Sequence, residues 1–447
     1  MVDEEVLLHA CDAARAAGAA YAEARAEDLR LEHLEARDGA VEQIVADTDR
    51  GWGLRCAVDG GWGFAGTADT DSAAVARVAA EAVAIARASA AHRAHPLALD
   101  ALPVDRGSYQ TAVVVDPFIV PLDRRVALLI DALHAMQAAH PRVTVTTGSI
   151  SLQRTDKLFV NTAGAHLRQQ ILFSGAWMAA RARDDTGYTY QRSYGNMRQA
   201  GWEFVEALDL PANAPRVGRE AGELVAADWV PSGPTTAIVG SEMMALLVHE
   251  SCGHPIELDR VLGWEAAFAG TSFLLPDMRG HFAYGSPAVN ITADALTPGG
   301  LGTFGWDDEG TPAARTAIVR DGVFTGYLTS RETAPALGQR SNGTARATSW
   351  GRIPIVRMTN VSLEADPHGS SLDALIAAVD HGLYLETPSS WSLDDKRMNF
   401  HFSVEMCRAI EHGQLGALYK GASFQDRTPH FWGNVEAVGG RGGESAL

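Results

Sequence analysis

The sequence has 447 residues, more than one ordinary hydrophobic core holds, so two domains are expected. Its composition is globular, and no apolar run approaches the ~18 residues that span a bilayer. A net charge of −18 argues against partners such as nucleic acids or anionic membranes. Met1–Glu5 is acidic and lacks the basic segment of a signal peptide, so a cytoplasmic location is expected. The four cysteines show no C-x-x-C spacing, which argues against a disulfide framework and a thiolate-only zinc site.

Residues 1–230 are predicted to form an N-terminal α/β domain. Apolar residues at helical spacing predict helices over Val6–Asp28, Ser72–Ala90, Leu122–Ala139 and Gly218–Ala226. Alternating or β-branched stretches predict strands near Leu29–Glu35, Val41–Ala46, Arg142–Gln153, Lys157–Asn161 and Ala165–Ala182, with a Gly/Trp-rich hairpin between Gly51 and Gly63. His92–Tyr109 carries prolines and no period, so a long connection is expected there. Pro231-Ser232-Gly233-Pro234 marks the domain boundary.

Residues 231–447 are predicted to form a C-terminal β-rich domain, which makes the fold class α+β. A helix over Ser241–Gly253, with Ser241 as its N-cap, follows a short strand at Thr236–Val239. The apolar stripe of this helix consists of Met243, Met244, Leu247 and Val248, which we expect to pack in the core. Further strands are predicted at Ala288–Thr292, Ala317–Val319, Gly326–Thr329, Ile353–Thr359, Phe400–Met406 and Arg408–Glu411, and one further helix at Leu372–His381.

The stretch from His249 to His254 reads H-E-x-x-x-H, one residue longer than the H-E-x-x-H of zinc peptidases. In a straight helix, side chains five residues apart point about 140° apart, so these two imidazoles would not share an ion. Gly253 tolerates unusual dihedrals, and Pro255 disfavours the helical region for the residue before it. We therefore predict that the backbone unwinds at His254 and that both histidines bind one metal. Glu250 is then free to act on water, and the alternative is a helix end with two polar caps.

With this motif, four further blocks make the chain resemble the TldD/PmbA (TldD/TldE) metallopeptidases, the modulators of DNA gyrase. The blocks extend from the first hundred residues to about Lys420, and each resembles a family pattern. They are Gly61–Thr67 (G-W-G-F-A-x-T), Gly310–Pro312 with Asp321–Leu328 (G-T-P…D-G-x-x-x-G-Y-L), Arg357–Asn360 (R-M-T-N), and Phe400–Ser403 with Ile410–Gly413 (F-x-F-S…I-E-N-G).

This resemblance implies a two-domain TldD/PmbA-like fold with His249 and His254 as Zn²⁺ ligands and Glu250 as the catalytic acid/base. It also implies a heterodimer with a TldE/PmbA-like partner subunit that hydrolyses unfolded or leader peptides. The two histidines and the glutamate place the chain with the TldD-like members. The sequence departs from the family at its C-terminal end, where a C-G-K-x-G-Q-like segment supplies a third ligand in other members and no cysteine stands here.

A catalytic zinc takes three protein ligands and a water, so the third ligand stays open. Glu257 is a candidate ligand or a carboxylate that orients an imidazole, and Cys407 and His401 are further candidates. Cys252 is expected to point away from the ion. Tyr327, Arg346 and Arg357 are considered as donors to the oxyanion, although a structural role is expected more often for each of them.

Three functions follow from these patterns. The leading one is the zinc metallopeptidase, in which an extended peptide can add to an exposed strand edge. The second is a TldD-like hydrolase or lyase that cleaves a C–N bond in a small molecule of secondary metabolism, which the altered C-terminal segment makes conceivable. The third is a non-catalytic partner subunit, against which the intact His-Glu-His set argues.

Overall fold

The computed structural model describes residues 2–92, 97–99 and 105–441. In the first half the helices are α1 Glu4–Ala16, α2 Ser72–Ala90, α3 Leu122–Ala139, α4 Trp202–Ala207 and α5 Leu210–Ala226. The strands of this half are β1 Tyr21–Arg37, β2 Ala40–Val58, β3 Gly61–Thr67, β4 Arg106–Gln110, β5 Val143–Asn161, β6 His166–Arg183 and β7 Thr189–Arg198.

These seven strands form one sheet in the order β3-β2-β1-β5-β6-β4, with β7 also paired to β6. The central strand β1 is antiparallel to both β2 and β5, so its backbone groups are satisfied on both edges. Ala22, Ala24 and Ala26 alternate along β1 and pack in the core that α1 and α2 cover. A second core lies between α3, α5 and the strands β5 and β6.

Three predictions for the first half need correction. The helix predicted over Val6–Asp28 ends at Ala16, because Gly18 takes a left-handed φ of +105° and the chain then enters β1. Within the connection His92–Tyr109, the last residues belong to β4, which pairs in parallel with β6; residues 93–96 and 100–104 lie outside the described residues. Helix α5 begins eight residues before the predicted Gly218, where the Asp209 side chain caps Ala212 N.

In the second half the helices are α6 Ser241–Val248, α7 Leu258–Val261, α8 Leu372–Ala377 and α9 Thr428–Gly433. The strands are β8 Asp228–Trp229, β9 Ala237–Val239, β10 Ile291–Asp294, β11 Arg315–Arg320, β12 Val323–Phe324, β13 Ala345–Arg346, β14 Ile355–Val356, β15 Asn360–Leu363, β16 His381–Leu393, β17 Asn399–Glu411, β18 Gln414–Lys420 and β19 Ser423–Arg427. They form sheets β8-β18-β17-β16-β9 (with β19 on β17), β12-β11-β10-β15 and β13-β14 around one core that includes α6.

The predicted α+β class is confirmed, since both halves combine helices with sheets. The helix predicted over Leu372–His381 ends at Ala377, and His381 already opens β16. Gly326–Thr329 forms no strand, although Leu328 makes a single β-bridge to Glu257, three residues after His254. Within the described ranges, none of the helices combines the length and apolar character that crossing a membrane requires. The domain division at residue 230 stays a prediction.

Buried charges on β1 and its neighbours join the two halves of the chain. Arg55 contacts Glu23 at 2.6 Å and Glu309 of the second half at 2.7 Å. Lys157 contacts Asp308 at 2.8 Å. All five side chains are largely shielded from solvent, so removing one partner would leave an uncompensated buried charge. This network fixes the second half, and with it α6, against the first sheet.

Candidate metal centre

Helix α6 continues into a π-helical turn over His249–Gly253. The N–H of His254 donates to the carbonyl of His249, which is an i→i+5 bond in place of the usual i→i+4 bond. The wider turn places residues five apart on one face. As a result, the two imidazole rings lie 4.8 Å apart between centroids, with an interplanar angle of 84°.

The histidines converge as predicted, but the predicted unwinding at His254 is wrong. His254 keeps helical dihedrals (φ −68°, ψ −41°), and Gly253 is helical as well. Pro255 acts through its missing N–H, which leaves the carbonyl of Ser251 without a helical donor. The hydroxyl of Tyr284 donates to that carbonyl at 3.0 Å.

Gly253 is needed for close packing and not for its dihedrals. A Cβ at this position would lie 2.0 Å from Sδ of Met358, far inside van der Waals contact. On the same turn, Ser251 Oγ donates to the carbonyl of Leu247 and accepts from Nε1 of the buried Trp432 at 3.0 Å. The π turn is therefore held by side chains that are remote in sequence.

The predicted N-cap at Ser241 is also wrong, because the cap position is Gly240. The N–H of Gly240 donates to the carbonyl of Leu385 at 2.8 Å, which ties the start of α6 to β16. The predicted apolar stripe is confirmed for Met243, Leu247 and Val248, which are buried in the core of the second half. This packing fixes the helix that carries the motif.

His249, Glu250 and His254 each offer a ligand atom, and these atoms all lie within 4.8 Å of one another. Although His249 reaches the surface, burial lowers its pKa and the charge of His254 lowers it further, while Glu250 and Glu257 oppose the shift. A lowered pKa favours the neutral imidazole, which is the form that binds metal.

Glu257 lies behind His254 and is fully buried. Its Oε2 contacts Nδ1 of His254 at 3.1 Å and accepts from Nη2 of Arg260 at 2.7 Å. Burial raises the pKa of Glu257, but the hydrogen bonds and charges of His254 and Arg260 outweigh it, so that the pKa is lowered overall. Of the two predicted roles for Glu257, the contacts match that of an orienting carboxylate, which fixes the ring and leaves Nε2 of His254 for an ion.

The other candidate ligands do not join the cluster. Among the described residues, the 4.8 Å group contains neither His401 nor Cys407. Cys407 is buried in β17, and burial raises its pKa to about 12, so it stays a thiol. Cys252 points into the core as expected, with its pKa likewise raised to about 12 by burial.

The three considered oxyanion donors differ in their surroundings. Tyr327 is buried and its hydroxyl donates to the carbonyl of Leu274 at 3.2 Å. Arg357 donates to Glu265 at 2.8 Å. Arg346, on β13, is half-buried, and no ion pair of this residue is seen in the part of the chain that the structure describes. Of the two arginines, it is therefore the one whose guanidinium makes no ion pair among the described residues.

Several residues that shape the centre were missed by the sequence analysis. Arg260 stands three residues after Glu257, a spacing that brings opposite charges together on a helix and was available as a signal. Tyr284, Met358 and Trp432 carry no local signal, because each reaches the π turn from a distant part of the sequence.

The residues present fit a zinc ion. Two converging imidazoles are zinc ligands, and a buried carboxylate on the far nitrogen of one of them is the usual support for such a ligand. The described residues provide these two nitrogens and the nearby Glu250 carboxylate, so the centre keeps an open side. An open side is typical of catalytic and not of structural zinc sites.

Comparison with known proteins agrees with this centre. Three family models match: PmbA/TldA metallopeptidase domain 1 over residues 22–86, the central domain over 116–227 and the C-terminal domain over 232–443. A metalloprotease of Methanothermobacter thermautotrophicus is 31% identical over 324 residues, 72% of this chain and 68% of that protein. A TldD metalloprotease homologue of Haemophilus influenzae is 26% identical over 309 residues, 67% of this chain and 61% of that protein.

Solved structures share the whole fold. A candidate modulator of DNA gyrase from Thermotoga maritima superposes with a TM-score of 0.79 at 17% identity, covering 98% of this chain and 94% of that one. TldE from Thermococcus kodakarensis superposes with a TM-score of 0.75 at 15% identity, covering 97% of this chain and 94% of that one. The site and the sequence matches define a metallopeptidase family. The chain belongs to the TldD/PmbA metallopeptidases, as its sequence blocks predicted.

Proposed function

We propose that this chain is a zinc metallopeptidase that hydrolyses peptide bonds of unfolded or leader peptides, as the catalytic subunit of a TldD/TldE-type heterodimer. The observation that carries the proposal is the convergence of His249, Glu250 and His254 on the π turn, with Glu257 behind His254. Family membership supports a metal-dependent peptidase, and the relatives named metalloproteases include one named a zinc metalloprotease TldD homologue.

His249 and His254 would hold the zinc ion, which when bound supplies Lewis acidity that activates a water and polarises the scissile carbonyl. Glu250 lies within 4.8 Å of both imidazoles and is placed to take the proton from water. The same carboxyl group then gives that proton to the departing nitrogen. Arg346 is the candidate donor for the negative oxygen that develops during attack.

The preference for unfolded peptides is supported by an apolar segment beside the centre. Trp264 and Phe268 are 54% and 91% exposed in the segment that follows α7. Arg260 ties this segment to the metal centre, since it donates to the carbonyl of Ala269 as well as to Glu257. Exposed aromatic side chains next to a catalytic centre bind the apolar side chains that folded substrates conceal.

The test is cleavage of a labelled unfolded polypeptide by the chain purified with a TldE-like partner. We expect Glu250→Gln to keep the fold and the zinc content but to lower kcat by about 10²- to 10⁴-fold, because the general base is lost. Glu81→Gln, which changes an exposed glutamate on α2, is the matched control and should leave kcat unchanged. Full activity of Glu250→Gln would reject the proposed base.

The same experiment separates the other functions that the sequence left open. A non-catalytic subunit would bind no stoichiometric zinc and cleave nothing. A hydrolase or lyase acting on a small molecule would bind zinc through His249 and His254 but leave the unfolded polypeptide intact. Activity that appears only when the partner is present would support the heterodimer.

A further inference from the structure

A second group of metal-binding side chains lies where β16 begins. It consists of Asp380, His381 and His412, whose ligand atoms all lie within 4.8 Å of one another. Nδ1 of His412 is 2.8 Å from Oδ1 of Asp380, and Nε2 of His381 is 3.5 Å from Oδ2 of the same carboxylate. The two imidazole centroids are 5.0 Å apart.

This group is separate from the candidate metal centre. It stands at the first residue of β16 and at the turn between β17 and β18. The segment beside His254 contacts the opposite end of the β16–β17 hairpin, where the carbonyl of Asp395 accepts from Thr271 N. The length of β16, 13 residues, therefore lies between the two groups.

The backbone holds the three side chains in place. His412 N–H donates to the carbonyl of Asp380 at 2.6 Å, and Gly413 N–H donates to the carbonyl of Val379 at 3.0 Å. His412 has a left-handed φ of 51°, which a tight turn imposes and which Asn adopts more readily than His.

We propose that Asp380, His381 and His412 form a second metal site that binds a first-row divalent ion such as zinc or nickel. Two imidazoles and a carboxylate are the donor set that such ions prefer, and hard cations such as Mg²⁺ prefer oxygen alone. The carboxylate of Asp380 contacts both imidazoles and so joins the two histidines into one group. All three side chains are solvent-exposed, so the group is accessible to an ion from solution.

A bound ion would link the residues after α8 to the β17–β18 turn. The neighbouring Ala378, Val379 and Leu383 line a groove that also extends along the edge strand β9. The site is thus placed to stiffen one wall of that groove. The inference does not depend on the proposed peptidase function, because it uses none of the residues of the α6 centre.

The test is equilibrium dialysis of the full chain against zinc alone, with metal analysis of the protein. Wild type should bind two zinc ions per chain, and His412→Asn should bind one, since Asn fits the left-handed turn but lacks the imidazole. His381→Gln gives an independent second reading with the same expected loss. The control His9→Asn, which changes an exposed histidine on α1, should still bind two.

Cobalt absorption gives the affinity of the same site. Titration of His412→Asn and His381→Gln with Co²⁺ should show the second binding phase weakened at least tenfold, with the first phase unchanged. The inference would be overturned if both variants bound as many zinc ions per chain as wild type, whatever the α6 centre binds, which would leave Asp380 as no more than an ion-pair partner of the two histidines.

Discussion

Glu257→Gln is the substitution that most sharply tests how the π turn prepares His254. Glu257 and Arg260 form a fully shielded pair at 2.7 Å, and breaking a buried pair costs about 3–5 kcal/mol. Glu265 stays 3.7 Å from Arg260 as a second counter-charge, so the lower end, about 3 kcal/mol, is expected. Zinc affinity should fall about 10- to 100-fold, because the ring of His254 loses the carboxylate that orients it.

The two effects are measured separately, by guanidinium unfolding of the metal-free protein and by zinc competition with a chelator. Glu206→Gln is the control, since its contact with Arg124 is exposed and should be worth under about 1 kcal/mol without any effect on zinc. If Glu257→Gln lost stability but bound zinc like wild type, the carboxylate would not orient the imidazole. If neither quantity changed, the reasoning from the buried pair would be refuted.

Three further predictions concern packing, pH and substrate. Gly253→Ala should weaken zinc binding and destabilise the fold by about 1–3 kcal/mol, because the added methyl group meets Met358. Adding Met358→Ala to the same chain should restore much of the stability, measured by unfolding, and much of the zinc binding, measured by dialysis. Burial, followed by the charge of Glu265, raises the pKa of Asp259 from 3.8 to about 6, so the folded state binds a proton that the unfolded state releases between these values. The stability that Asp259 contributes is therefore lost as pH rises through about 6. In denaturant titrations, the free energy of unfolding of Asp259→Asn should rise relative to that of wild type between pH 4 and 7, by up to about 3 kcal/mol. A difference between the two proteins that stays constant over this range would contradict the raised pKa. Phe268→Ala should raise KM for an unfolded polypeptide while kcat stays constant, and Ile119→Ala, an exposed apolar change in the first half, should alter neither in steady-state assays.

Helices with strong local signals were predicted to the residue. Helix α2 has Asp71 as a cap and a run of alanines, and α3 has an uninterrupted apolar period, so local preference and tertiary packing agree in both. In β1, local preference and tertiary packing disagree. Alanines predict a helix by propensity, but they alternate with Glu23, Arg25 and Glu27, and pairing with two neighbouring strands decides the outcome.

The candidate site also has a part that local sequence predicts and a part that tertiary contacts decide. Spacing and residue type single out His249, Glu250 and His254 and predict that the imidazoles converge. The mechanism of convergence depends on Tyr284 and Met358, which meet the turn only after the chain has folded. A π turn is a product of such tertiary contacts, so a rule based on local dihedral preferences placed the distortion at His254, after the turn over His249–Gly253 that carries it.

Anomalous diffraction at the zinc edge, from crystals of the zinc-loaded chain, tests the central claim most directly. At the α6 centre we expect a strong peak bonded to a ring nitrogen of His249 and to Nε2 of His254, with the Glu250 carboxylate beside it and Glu257 still on Nδ1 of His254. A map without a peak between the two imidazoles, or with their nitrogens turned away from a common point, would contradict the account.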